Sequence, residues 1–573
     1  MKLSDFVFKY IKSKGIDTVF TVTGGGCMHL TDSLSKSGLK YVCNHHEQAS
    51  AIAAEAYFRT SGKPGCILVT TGPGGTNALT GVLCAYQDSI PMIIISGQAP
   101  TDQLSSGTGC RQIGQQEFNI TKTVKTMTKY AVTLMNKESI LFCLEKAYTI
   151  AVSGRPGPVW IDLPLDIQSA EISDDLINYN SVLFKNIYTY KNKLKLIKFK
   201  KLLFNSERPV IVIGNGIKSS NTKQYLFDFL RRINVPIMSG PHSAVDIITS
   251  EFPNYAGRFG LLGQVTSNKI IQESDLVISL GSRLNPKMIG YDNKKFAPNA
   301  TKIIIDVDKK ELKKLKFDKY LKWNIDLKEF FELTKEVCFY SNKNWLHYVA
   351  EERKKEIYVK PKHLELEGFV STYVFCKELE KRLGYDSIIV TSNGTAHVIP
   401  MKTIELKNRQ QMFSNEGTAP MGYGLPAAIG AYYGSKLPII CIEGDGSIMM
   451  NLQELETIKY NNLPIKIFIL NNEGYLSIRQ TQNAFFNGRI SAADLKTGIS
   501  FPSFKKIANT FNYDYFSIQT NKDIGKVLDK VLHKERCIIE VFSDPKELHE
   551  PKVKAMGIDK NGYIIPGKLE NIQ

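Results

Sequence analysis

The segment CIEGDGSIMMNLQELETIKYNNLPIKIFILNN carries Gly444-Asp445-Gly446-Ser447 near its start and Asn471-Asn472 at its end, with Asp445 and Asn472 separated by 472 − 445 = 27 positions. The apolar run before Gly444 predicts a strand, a helical pattern follows, and a second apolar run from Ile465 to Leu470 predicts another strand. Strand, acidic glycine turn, helix, strand and polar turn make a βαβ unit, so Asp445 and Asn472 come side by side at the carboxyl ends of parallel neighbours. One carboxylate, one amide oxygen and a nearby backbone carbonyl, with Gly474 the candidate, suit Mg²⁺, which takes oxygen ligands and keeps positions open for a substrate phosphate. Gly444 and Gly446 let backbone N–H groups approach that phosphate at a helix N-terminus, beside Ser447. An ordinary βα turn whose aspartate caps a helix shares the local pattern.

GDG followed by NN at this spacing resembles the diphosphate-binding motif of thiamine-diphosphate enzymes. A second stretch, Cys43 to Gln98, is similar to the pyrimidine-binding domain of the acetolactate synthase branch of that family. Glu47 opens an alanine-rich helix there, where a glutamate also stabilises the first turn by a few tenths to about 1 kcal/mol. The resemblance implies that Glu47 hydrogen-bonds the aminopyrimidine and favours the tautomer that removes the thiazolium proton, a general acid–base relay that wants a dry carboxyl group. Glu55, later in the same helix, reads as a surface or core-edge residue. Thr71-Gly72-Pro73-Gly74-Gly75-Thr76-Asn77 resembles the family loop that meets the partner subunit's cofactor site. Gly24-Gly25-Gly26 is similar to the loop near the reacting carbon, with Gly25 and Gly26 as cofactor contacts, and Gln116 matches a family glutamine that faces substrate. Ala419 and Met421, in APMGYGLP, match the carbonyl offered to the aminopyrimidine and the methionine that wedges between the cofactor rings. Gly394 and Thr395 match diphosphate contacts, and His397 matches a family histidine.

The middle of the chain bears on FAD, which acetolactate synthases carry there without using it for redox chemistry. Gly214, Gly216, Gly263, Gly281, Arg283 and Asp306 resemble parts of that site. Three departures stand out: Gly260-Leu261-Leu262-Gly263 replaces Gly-Met-His-Gly, Lys287 replaces an arginine that meets substrate carboxylate, and Thr481 replaces a tryptophan that selects 2-ketobutyrate. Arg479 is a polar candidate for the altered acceptor pocket.

These residues need several domains to position them. A chain of 573 residues exceeds one core, and 43% hydrophobic with 23% charged residues predicts a globular protein. The resemblance implies three doubly wound parallel-sheet α/β domains: pyrimidine-binding (1–175), central (201–340) and diphosphate-binding (366–545), with a tail at 546–573. A polar, lysine- and tyrosine-rich linker is expected over about 176–200, and a lysine-rich connector up to about 365. The first and third segments show no sequence repeat, yet a shared fold is compatible with both. No apolar run approaches membrane-spanning length, the start lacks a signal peptide's pattern, and ten scattered cysteines without a CxxC pair predict reduced thiols in a cytoplasmic protein. The net charge of +17 is spread over solvated faces without interleaved stacking aromatics, so no nucleic-acid partner is expected.

The resemblance implies thiamine-diphosphate- and Mg²⁺-dependent decarboxylation of a 2-keto acid, pyruvate first, and carboligation of the two-carbon unit to a carbonyl acceptor. Two alternatives remain: the same chemistry on a nucleotide-linked keto sugar in surface polysaccharide synthesis, and a non-catalytic protein of this fold. It also implies a homodimer or homotetramer with Glu47 of one chain facing Asp445 and Asn472 of another. The sequence leaves a regulatory subunit undecided.

Overall fold

The computed structural model describes residues 1–173 and 192–553, and from the tail 557–558, 564–565, 567 and 569. Three six-stranded parallel sheets form the framework. In space the first runs Lys40–Cys43, Thr18–Thr21, Gly65–Val69, Met92–Gln98, Pro158–Pro164, Tyr130–Thr133. The third runs Gln411–Phe413, Ile388–Thr391, Ile439–Gly444, Ile465–Asn471, Cys537–Phe542, Asp514–Ile518. Numbering each sheet's strands along the chain gives 2-1-3-4-6-5 both times, so the two segments share a topology that their residues do not advertise. The central sheet has the order 3-2-1-4-5-6, the arrangement whose switch point opens a nucleotide-sized crevice. Runs such as Pro209–Ile213 and Met92–Gln98 are buried along their whole length, as strands covered by helices on both faces must be.

The first and third domains meet through small residues. The helix Glu47–Ser61 lies on the helix Gly424–Ser435, and both belong to one hydrophobic core that includes Ala53, Ala54, Ala427, Ala428 and Ala431. A Cβ on Gly430 would overlap the Ala53 carbonyl, so glycine sets the closeness of this crossing. Glu55 corrects its expected placement: it is fully buried at this seam, not at a surface. It accepts hydrogen bonds from Tyr423 Oη (2.7 Å) and Asn415 Nδ2 (3.1 Å) and pairs with Arg59, which also reaches Asp88 Oδ2 at 2.6 Å. The carboxylate is tolerated in the core because a guanidinium and two neutral donors surround it.

Two polar stretches are more ordered than expected. Residues 174–191 of the expected linker lie outside the described residues, but its end forms the helix Lys193–Phe204, with Phe199 and Leu203 fully buried in the central core. The lysine-rich connector contains the helix Lys343–Lys354, which buries Trp345 and Val349 and sends the Trp345 indole N–H to the Pro209 carbonyl at 3.0 Å. In both helices two apolar residues four positions apart suffice to dock a lysine-rich helix.

Candidate active site

Asp445 and Asn472 stand at neighbouring strand ends, in register through Gly444 and Leu470. Asp445 Oδ1 accepts the Gly446 N–H at 2.7 Å, and Oδ2 accepts the N–H groups of Asn472 (3.1 Å) and Gly474 (3.0 Å). Burial nevertheless pushes the Asp445 carboxyl up to about 6. A nearby cation would reverse that cost. Asn472 Oδ1 is buried and accepts no hydrogen bond, an arrangement native interiors avoid unless an unseen group completes it. An orphan amide oxygen beside a buried carboxylate fits the oxygen-only donor set of Mg²⁺. The Gly474 carbonyl, expected as a third ligand, accepts the Leu476 N–H at 3.1 Å here, and its second lone pair remains.

The glycines of the loop have separate reasons. A Cβ on Gly446 would overlap the Tyr475 ring, which lies over the turn beside Phe501. A Cβ on Gly444 would meet only Ser447 Cβ, at 3.9 Å, so its face is open to an incoming group. Ser447 Oγ shares a 2.7 Å hydrogen bond with Ser392 Oγ and accepts the Gly422 N–H at 2.9 Å, tying Gly444–Ser447 to the loop of Met421. Ala419 holds φ +48° without being glycine, and Asn393 Nδ2 donates to its carbonyl at 3.4 Å. Gly394, at φ +57°, precedes the helix Thr395–Thr403, and Thr395 Oγ1 lies 2.9 Å from His549 Nε2. All the residues expected around the diphosphate therefore sit at strand ends, turns and helix starts at one end of the third sheet.

Glu47, by contrast, belongs to the first domain alone. It is buried at the start of its helix, whose N-cap is His46: the ring Nδ1 accepts the Gln48 N–H at 3.0 Å. Glu47 Oε2 accepts from Asn77 Nδ2 at 2.9 Å, joining it to the glycine loop, where a Cβ on Gly74 would come 3.5 Å from Oε1. Among the described residues no hydrogen bond connects Glu47 with Asp445 or Asn472. Gly26 is required by contact with Thr71, whereas a Cβ on Gly25 would meet nothing within 4 Å. Gln116 is exposed at φ +59°, and its carbonyl crowds Gly72.

In the central domain Gly214, Gly216, Gly281, Arg283 and Asp306 line one cavity at the strand ends, reached also by Arg155, Glu311 and Glu416. Burial pushes Asp306 up to about 6. Gly263 departs from the expectation. It is not among the cavity's lining residues, and its N–H closes a turn onto the Gly260 carbonyl at 3.0 Å. Arg479 lines the same cavity as Thr481, and its guanidinium is also committed to the fold. It is 8% exposed and donates to the carbonyls of Asn472, Glu473, Ala493 and Pro545 at 2.7–3.1 Å, so it is spent on holding the loop after Asn472.

Several neighbours of the site escaped sequence reasoning. Glu443 is fully buried beneath the loop, is pushed up to about 7 by burial, and leaves Oε1 unpartnered. A carboxylate inside an apolar run was a visible signal. His549 had none. It comes from the tail, and the Tyr373 hydroxyl, 3.0 and 2.7 Å from the Leu548 and Glu550 carbonyls and accepting the Glu550 N–H at 2.7 Å, holds that tail against the third domain.

Residues 1–123 match the thiamine pyrophosphate enzyme N-terminal TPP binding domain, 196–332 the central domain and 392–541 the C-terminal TPP binding domain. Similar proteins include acetolactate synthase isozyme 2 large subunit of Escherichia coli (strain K12), 29% identical over 93% of this chain and 94% of the relative. A probable acetolactate synthase large subunit of Methanocaldococcus jannaschii is 30% identical over 96% and 93%. The acetolactate synthase large subunit of Lactococcus lactis is 28% identical over 96% and 94%. With three matched domains in order, and relatives similar from end to end, the chain belongs to the thiamine pyrophosphate enzyme family, on its acetolactate synthase-like branch.

Proposed function

We propose that this protein, with thiamine diphosphate and Mg²⁺, decarboxylates a 2-keto acid, pyruvate first, and joins the two-carbon unit to a carbonyl acceptor. The observation that carries the reading is the unpartnered Asn472 Oδ1 beside Asp445, on a loop whose glycine face is open. When bound, the cofactor supplies a carbanion equivalent and an electron sink at its thiazolium ring. The chain's own residues do the rest. Asp445 and Asn472 would hold the cation, with the Gly474 carbonyl as third candidate; Gly394, Thr395, Gly444, Gly446 and Ser447 would receive the diphosphate; Ala419 and Met421 would set the ring orientation. Glu47 holds a proton at the pyrimidine from a buried position. Glu47 makes its hydrogen bond inside its own domain, and on this reading the Glu47 of one copy completes the site of another, as a homodimer or homotetramer. The crevice of the central domain, at the sheet's switch point, is the place for FAD. Relatives named as large subunits give reason to look for a companion chain.

A second reading concerns the acceptor. Thr481 is exposed and lines a broad cavity between the helix Leu476–Phe485 and residues Pro545 to Val553, where Lys496, Lys546 and Lys552 outnumber Glu473 and Asp494. A wide, basic wall favours a larger, anionic acceptor such as a nucleotide-linked keto sugar over a second pyruvate. The test is product identification after incubation with thiamine diphosphate, Mg²⁺ and pyruvate, with and without candidate keto sugars. Acetolactate alone supports the first reading, a branched sugar product the second, and no consumption of pyruvate defeats both.

A further inference from the structure

Beside the loops of Thr395 and Ala419, three side chains from three separate segments converge at the seam of the central and third domains. His242 follows the strand Ile237–Ser239, His397 lies in the first turn of Thr395–Thr403, and Glu416 follows the strand Gln411–Phe413. His242 Nδ1 is 3.4 Å from Glu416 Oε2, His397 Nε2 is 3.3 Å from the same oxygen, and the imidazole centroids are 4.4 Å apart. One ligand atom from each residue lies within 4.8 Å of the others. Both histidines are buried, and neither ring nitrogen of His242 has a hydrogen-bond partner. A buried imidazole that makes no hydrogen bond, with only the Glu416 carboxylate 3.4 Å from Nδ1, is unfavourable unless another group occupies the space it faces.

The two separations to Glu416 Oε2, 3.4 and 3.3 Å, suit a cation, and the imidazole nitrogens need only draw closer to complete the set. Ligand bonds of about 2.0–2.1 Å arranged tetrahedrally place ligand atoms about 3.3 Å apart. The other nitrogen of His397, Nδ1, lies 3.4 Å from Thr391 Oγ1, which leaves Nε2 toward Glu416. The nearest competing charge is Lys287 Nζ, 3.2 Å from Glu416 Oε1, which leaves Oε2 to face the two rings. We propose that His242, His397 and Glu416 form a site for a divalent cation of the zinc class, separate from Asp445 and Asn472. Two imidazoles and one carboxylate select such a metal over Mg²⁺, which prefers oxygen. Because Glu416 also lines the central cavity, the ion would clamp the central domain to the third domain at that cavity's inner end.

The test is metal content after loading the full chain with Zn²⁺ and dialysing, with a Co²⁺ titration followed by visible absorption. The expected result is about one firmly held Zn²⁺ per chain and the intense spectrum of four-coordinate Co²⁺. Both should persist in Asp445→Ala and vanish in His242→Ala and Glu416→Gln. Failure to retain Zn²⁺, or equal retention by His242→Ala, overturns the proposal. Should the His242→Ala or Glu416→Gln variant not fold, Lys287→Met keeps all three ligands and removes the competing ammonium. It should hold Zn²⁺ more tightly than the parent, and a Lys287→Met protein that retains none refutes the site. Metal content is read without turnover, so this result is independent of the catalytic reading above.

Discussion

Replacing Asn472 with leucine should separate the unloaded protein from the loaded one. Without ligand, Asn472 Oδ1 is a buried acceptor with no donor, a situation that costs about 1–3 kcal/mol. Leucine keeps the branch at Cγ and removes the orphan oxygen. The contacts that shape the loop are made by the backbone of residue 472, its N–H to Asp445 Oδ2 and its carbonyl to Arg479, and these survive. Unfolding of the unloaded variant should therefore be unchanged, or more difficult by up to about 1–3 kcal/mol. With cofactor the sign reverses. A polar contact to a charged group contributes about 1.5–3 kcal/mol, so Mg²⁺-dependent thiamine diphosphate should bind roughly 10- to 150-fold more weakly. A parent held at 100 times its Kd gains about 2.7 kcal/mol of stability from the ligand; a variant weakened about 100-fold gains only about 0.4 kcal/mol at the same concentration. Calorimetric titration gives the affinity, and denaturant unfolding with and without Mg²⁺ and cofactor gives the stabilities. A variant that is less stable without ligand by more than about 1 kcal/mol, yet binds the cofactor normally, would show that the oxygen serves the fold and not a cation.

Three further outcomes are expected. Arg59→Met leaves Glu55 and Asp88 buried without their shared cation, so denaturant unfolding should show a loss of about 3–5 kcal/mol; a loss below about 1 kcal/mol would mean that the buried carboxylates do not depend on it. Asp162 is fully buried and pushed up from 3.8 to about 7 by burial, despite hydrogen bonds from Ser96 and Gln98 at 2.6 and 3.1 Å. The folded chain thus keeps a proton that the unfolded chain has released, and stability falls as pH rises through that window, by up to about 4 kcal/mol. Asp162→Asn should flatten that slope in unfolding midpoints taken across the window, and an unaltered slope would remove Asp162 as its source. Thr481→Trp narrows the cavity beside the helix Leu476–Phe485 and should raise 2-ketobutyrate over pyruvate as acceptor by roughly 10- to 200-fold in a competition assay. No change in that ratio would place acceptor selection elsewhere.

What the sequence made legible was local. Gly444 to Asn472 lies within one βαβ unit, so spacing alone put Asp445 beside Asn472, and the strand register agrees. The Glu47 position was legible through resemblance, since a glutamate at a helix start has an ordinary electrostatic reason to be there. Long-range partners were not legible. Glu55 looked superficial because its partners, Tyr423 and Asn415, lie 368 and 360 residues away. The commitment of Arg479 was hidden because its carbonyl partners come from three stretches, at Asn472-Glu473, Ala493 and Pro545, that meet it only in the fold. Lysine-rich composition hid the helices Lys193–Phe204 and Lys343–Lys354, whose docking rests on a few apolar residues. The common strand order of the first and third sheets was also hidden, since topology constrains burial and not residue identity.

The central claim is that this chain activates thiamine diphosphate through Glu47. Its most direct test is release of carbon dioxide from pyruvate by the purified protein and by Glu47→Gln, each with thiamine diphosphate and Mg²⁺. Glutamine keeps a hydrogen-bonding carbonyl toward Asn77 but cannot exchange a proton with the pyrimidine. The account predicts cofactor-dependent release by the parent and a fall of about 10²–10⁴-fold in the variant, with cofactor affinity retained. Release by Glu47→Gln at the parent's rate, or none by the fully loaded parent, would contradict it.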